Sequence, residues 1–99
     1  MYGRQGTIVA KTGQRDALLA LLLEGSSGGD MPGCRLYVIS RVPAQPDVLA
    51  ISEVWDDQAA HTASLSLPNV RAVIARALPL IASMGEGLEL DPVGGKGLD

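Results

Sequence analysis

The fold is decided by one stretch: Cys34-Arg35-Leu36-Tyr37-Val38-Ile39-Ser40, then Pro43-Ala44-Gln45-Pro46-Asp47, then Val48-Leu49-Ala50-Ile51-Ser52-Glu53-Val54-Trp55. Two runs rich in β-branched residues flank a connection whose prolines cannot donate to a strand ladder, which predicts an antiparallel hairpin. The alternation within the runs is imperfect. Leu36, Val38 and Ile39, and then Val48, Leu49, Ala50 and Ile51, place apolar side chains on both faces of the sheet. A sheet with helices on only one side is expected to be polar on the other. The pattern therefore predicts that the second face meets a second copy of the chain.

Upstream of the hairpin, Arg4 to Lys11 reads as a strand closed by the turn signal Lys11-Thr12-Gly13. Ala17, Leu18, Leu21 and Leu22 then form the stripe of an amphipathic helix that stops at Gly25. Gly25 to Asp30 reads as a flexible loop, and Met31-Pro32-Gly33 turns the chain into the second strand. Downstream, Asp56-Asp57 suits a helix start, with acidic groups at the positive end of the helix dipole. A short helix over Gln58 to Ser66 is broken by Leu67-Pro68. The longer one that follows carries Val70, Val73, Ile74, Ala77, Leu78 and Ile81 on one face, and Pro79 should bend or end it. Gly85-Glu86-Gly87 leads into a fourth strand, Leu88-Glu89-Leu90, closed by Pro92. The order β-α-β-β-α-α-β predicts an α+β ferredoxin-like sandwich with an antiparallel four-stranded sheet over residues 1–92, and residues 93–99 form a flexible tail.

Composition narrows the function. Ninety-nine residues allow one domain, and 46% hydrophobic against 19% charged residues describe a soluble globular chain. Aromatic residues make up only 3%, so leucine and alanine must fill the core, a further reason to expect burial against a partner chain. The net charge of −3, with eight scattered Lys and Arg, leaves no basic footprint for nucleic acid. One Cys and one His cannot assemble a four-ligand zinc site, and a lone Cys34 fits a reducing cytoplasm. The longest apolar run, Ala17 to Leu23, is far short of the roughly twenty residues that span a bilayer, and no apolar signal region follows the N-terminus.

The segment Glu53-Val54-Trp55-Asp56-Asp57-Gln58-Ala59-Ala60-His61 resembles the antibiotic biosynthesis monooxygenase domain: a strand ending Glu-x-Trp, then a helix opening on acidic residues and Ala-His. Ala10-Lys11-Thr12-Gly13-Gln14-Arg15-Asp16 and Met31-Pro32-Gly33-Cys34 extend the resemblance over nearly the whole chain. Ser64 to Arg71, Pro79-Leu80-Ile81-Ala82 and the Gly-Gly-x-Gly tail are similar to a quinol monooxygenase branch. The resemblance implies a ferredoxin-like protomer that pairs into a dimeric α+β barrel. It also implies oxidation of a small quinol or phenolic aromatic by molecular oxygen, with no metal and no prosthetic cofactor. The substrate then supplies the electrons, and the protein supplies a base, a donor for the developing oxyanion and exclusion of water. In the haem-degrading branch an Asn, a Trp and a haem-ligating His are expected where this chain holds Gly6, Ser64 and Ile74, which disfavours that activity. Many quinol-oxidising relatives carry further His residues where this chain has Ser64 and Asn69.

His61 is thus the one imidazole, a side-chain type whose ordinary pKa of about 6.5 suits a general base at neutral pH. It lies about 100° round the helix from Ala60, so it either reaches a pocket rim or sits on a flank with a structural hydrogen bond. Trp55 is a pocket wall or the anchor of helix on sheet. Tyr37 and Arg4 are polar groups on neighbouring strands, with Arg4 able to meet a phenolate; rim and interface positions fit them equally. Ser64 points inward, as a substrate contact or a small packing residue. Glu53 shares the Ile51 and Trp55 face, as a buried site acid or as an interface acid paired with an Arg such as Arg35 or Arg41 in the dimer. Asn69 opens the long helix, at the pocket or in an exposed first turn. Cys34 reads as a small buried hydrophobe, and Gly94-Gly95-Lys96-Gly97 is not a phosphate loop because no helix follows it. Two further functions fit the same residues: a non-catalytic dimeric domain that binds a small ligand, and an isomerase or lyase acting on a small oxygenated metabolite.

Overall fold

A computed structural model describes residues 1–26 and 31–98. Its elements are β1 (Tyr2–Ala10), α1 (Arg15–Ser26), β2 (Cys34–Arg41), β3 (Val48–Trp55), α2 (Gln58–Ser64), α3 (Pro68–Ala77), a 3-10 turn (Leu78–Leu80), β4 (Ile81–Met84) and β5 (Leu88–Leu90). The expected hairpin forms: β2 and β3 pair antiparallel with Tyr37 opposite Glu53 and Ile39 opposite Ile51. The proline-containing connection closes by tight backbone hydrogen bonds, Gln45 N–H to the Val42 carbonyl at 2.9 Å and Val48 N–H to that of Gln45 at 3.1 Å.

The sheet is antiparallel, in the order β2-β3-β1-β4, with β5 also on β1. It has five strands where the sequence reading expects four. The edge beside β1 is split: β4 pairs with Ile8 to Ala10, and β5 pairs with Gly3 to Gln5. The helical stripe that the spacing extends to Ile81 is cut at Ala77, because Pro79 has no N–H to donate and the chain tightens into a 3-10 turn there. Ile81 still reaches the core, but as the strand partner of Ala10. β1 begins at Tyr2 rather than Arg4, because Tyr2 and Gly3 pair with Trp55 and Val54.

Alternation gives the sheet two distinct faces. Ile8, Ala10 and Leu49 point toward the helices and bury with Leu18, Leu19 and Ala77, with Leu22, Ile39, Ile51, Leu80 and Ile81 packed around them. Helix α1 runs through Gly25 to Ser26 instead of stopping at Gly25. The glycine serves close approach, since a Cβ there would lie 2.9 Å from Val73 Cγ2 of α3. The remainder of the expected loop, Ser27 to Asp30, lies outside the described residues. On the other face Leu36, Val48 and Ala50 are half-buried, while Val38, Leu88 and Leu90 are 43%, 61% and 39% exposed. Among the described residues no helix is long and apolar enough to cross a membrane.

Candidate functional site

A cavity lies between the helix layer and the sheet. Helix α2 starts where the sequence predicts, with the Asp57 carboxylate accepting from Ala60 N–H at 2.7 Å. The helix is held down by the turn before β2. Gly33 takes φ +81°, its carbonyl accepts from Asp56 N–H at 2.8 Å, and a Cβ on it would lie 2.7 Å from Ala60 Cβ. A side chain fits neither that backbone conformation nor that space. This contact sets how α2 lies over β3, and so where the next residue, His61, enters.

His61 enters a cavity of about 130 Å³ bounded by the end of α1, Met31, the sheet face at Tyr37, Glu53 and Trp55, and the apolar sides of α2 and α3. That volume is close to the roughly 150 Å³ of an apolar cavity that holds one benzene ring. His61 Nε2 lies 3.4 Å from Glu53 Oε1, and both side chains are about six-sevenths buried, at 15% and 14% exposed. The imidazole is clasped by two rings, Tyr2 with centroids 5.5 Å apart and tilted, and Trp55 at 5.6 Å, edge-on. The Trp55 indole N–H donates to Glu53 Oε1 at 2.8 Å and so aims the carboxylate. Trp55 itself is fully buried, so it is both anchor and wall.

Tyr37 lies opposite Glu53 on β2 and lines the same cavity. Burial first, and then the neighbouring Glu53 charge, push its pKa up to about 12, so its hydroxyl stays a donor across the neutral range. Ser64 is buried and lines the cavity, and its Oγ donates to the His61 carbonyl at 2.6 Å.

Five of the seven candidate residues are therefore brought together: His61, Trp55, Tyr37, Ser64 and Glu53. Arg4 and Asn69 are not. Arg4 shares the sheet face but stands beyond Glu53 in a separate depression, where it donates to the Tyr2 hydroxyl at 3.0 Å and reaches Glu89 at 3.8 Å. Asn69 is exposed in the first turn of α3, in an outer groove beside Glu24 and Arg76. Within the protomer Arg35 pairs with Asp56 at 2.6 Å and Arg41 lies 3.8 Å from Asp16. Cys34 is half-buried, and burial pushes its thiol pKa up, which disfavours the reactive thiolate. The sequence reading passed over Tyr2, whose signal was present: strand parity places it on the face of Arg4, Gly6 and Ile8 once β1 starts at residue 2. Among the described residues no group of three His, Cys, Asp or Glu is placed to hold a metal ion.

Fold and site together define a small ferredoxin-like α+β domain with a one-ring pocket between its helices and sheet. The chain belongs to the antibiotic biosynthesis monooxygenase family, whose model matches residues 1–76. It is similar to a solved structure from Chloroflexus aurantiacus that is named after that family. The two share 50% identity, with 99% of this chain and 98% of the other covered and a TM-score of 0.93. A Deinococcus radiodurans structure named likewise is 26% identical, over 96% and 95% of the two chains, with a TM-score of 0.80. A Caulobacter crescentus one, 19% identical over 94% and 90% with a TM-score of 0.86, shares the fold. No curated protein matches the chain significantly. Membership and the Chloroflexus likeness support a monooxygenase-like function.

Proposed function

We propose that the chain is a cofactor-independent monooxygenase that oxidises a small quinol or phenolic ring with molecular oxygen and works as a cytoplasmic homodimer. The observation that carries this reading is His61, an imidazole set against the Glu53 carboxylate inside an apolar, ring-sized cavity. With Nε2 turned to Glu53, Nδ1 is the nitrogen left to take the substrate's hydroxyl proton. Glu53 stabilises the imidazolium as it forms and keeps the ring oriented. The Tyr37 hydroxyl donates to the oxygen that has lost its proton, and Ser64 Oγ accepts from a second hydroxyl. Apolar walls from α1, α2 and α3 keep water from the electron-rich anion. Oxygen reacts at a ring CH2 or its equivalent: the substrate gives up four electrons, one oxygen atom becomes the new carbonyl and the other leaves as water.

The open sheet face supports the homodimer. Val38, Leu88 and Leu90 lie on it with Leu36, Val48 and Ala50, an apolar surface that a twin would bury. Oxygen consumption with a panel of one-ring hydroquinones, wild type against His61→Ala, tests the assignment. Turnover of any of these without oxygen would mark an isomerase or lyase, and binding without turnover would mark a ligand-binding domain.

A further inference from the structure

Glu53 puts a negative charge at the floor of the cavity, and no Lys or Arg is among the described residues that line it. The cation nearest in strand register, Arg4 opposite Glu53, is turned to the Tyr2 hydroxyl and to Glu89. Arg35, Arg41 and Arg76 are each beside other carboxylates on the outside. We propose that Glu53 makes this pocket a charge filter, which admits uncharged hydroxylated rings and excludes rings that carry a carboxylate. The inference rests on reading the cavity as the ligand site.

The reasoning is electrostatic. A neutral phenol adds no charge on entering. When its proton passes to His61, the imidazolium forms against Glu53, so the net charge of the pocket does not change. A benzoate instead brings a second anion to within a ring's width of the first. Two like charges about 6 Å apart, at an effective dielectric near 20, repel by roughly a hundredfold in affinity. Tyr37 already registers this field, because part of the rise in its pKa comes from the Glu53 charge. The Trp55 indole bond holds the carboxylate at 2.8 Å and keeps it from swinging away when an anion approaches.

Binding under argon at pH 8 tests the filter without oxidation. Trp55 is the sole tryptophan, so its fluorescence and its indole N–H resonance report this pocket alone. The ligands are hydroquinone, 2,5-dihydroxybenzoate and the methyl ester of that acid, which keeps the added bulk but carries no charge. We expect hydroquinone and the ester to bind, the acid to bind at least tenfold more weakly than the ester, and Glu53→Gln to close most of that gap. Equal affinity for acid and ester in the wild type overturns the filter, and this comparison needs no variant. A gap that persists in a folded Glu53→Gln overturns the role of Glu53. If none of the three perturbs Trp55, both the filter and the ligand-site reading fall. Discrimination by charge with no oxygen uptake in air would sink the oxidative reading and leave the filter standing.

Discussion

Gly33→Ala tests how the site is held together. The substitution acts in two ways that can be sized separately. Placing an alanine at φ +81° costs about 1–2 kcal/mol. The new Cβ would lie 2.7 Å from Ala60 Cβ, well inside ordinary van der Waals contact, and such overpacking costs about 1–3 kcal/mol. Alanine also restricts the unfolded chain, which offsets about 0.4–1 kcal/mol. The net expectation is a loss of about 1–4.5 kcal/mol, read by urea denaturation at fixed protomer concentration. Ala60→Gly removes only the steric part. The double variant should therefore recover about 1–3 kcal/mol relative to the sum of the single variants, after each is referred to its own background. A loss below about 0.5 kcal/mol would refute the reasoning. So would strict additivity, since it would mean that the turn before β2 does not bear on α2.

Asp57→Ala removes the side-chain acceptor at the start of α2 and should cost about 1 kcal/mol, seen as a lower Tm, while Asp57→Ser should restore most of it. Tyr37, raised from 10 to about 12, makes stability depend on alkaline pH. The unfolded phenol ionises first, so between pH 10 and 12 the native state binds the extra proton and stability falls as pH rises. Absorbance titration at 295 nm should show a component near pH 12 that Tyr37→Phe removes, and the urea midpoint should fall less steeply in that variant. Light scattering at micromolar concentration should give twice the 10.3 kDa protomer mass, and Val38→Asp on the open face should shift it toward the protomer.

How much of this was legible depended on how local each signal was. The hairpin and the Asp57 cap rest on neighbours a few residues apart and form where their residues predict, and the helical stripe of α3 forms as far as Ala77. The edge strand was hidden because Ile81 satisfies two periods at once. It extends the apolar helix stripe and also serves as a strand partner of Ala10, and only the missing N–H of Pro79 decides between them. Gly25 reads as a stop by composition but acts as a contact for Val73, a relation across forty-eight positions that no local rule contains. The site shows the same limit. Strand parity puts Glu53 and Trp55 on one face, but no local signal names the side chain that meets Glu53 within the protomer. The actual neighbour is His61, eight positions on, brought back over its own strand by the Gly33–Ala60 contact. Arg4 was nominated as a polar strand residue able to meet a phenolate; it lies on the face of Glu53, but its guanidinium is turned to the Tyr2 hydroxyl.

The central claim is that His61, backed by Glu53, removes the proton that starts oxidation by oxygen. Oxygen-electrode rates with one-ring hydroquinones test it most directly, with wild type and His61→Ala compared in the same buffer after both are shown to fold by circular dichroism. Loss of a general base of this kind lowers the rate by about 10²–10⁴-fold. The account predicts wild-type uptake with at least one hydroquinone and a fall of at least about a hundredfold in the variant. Equal rates in the two proteins would contradict it.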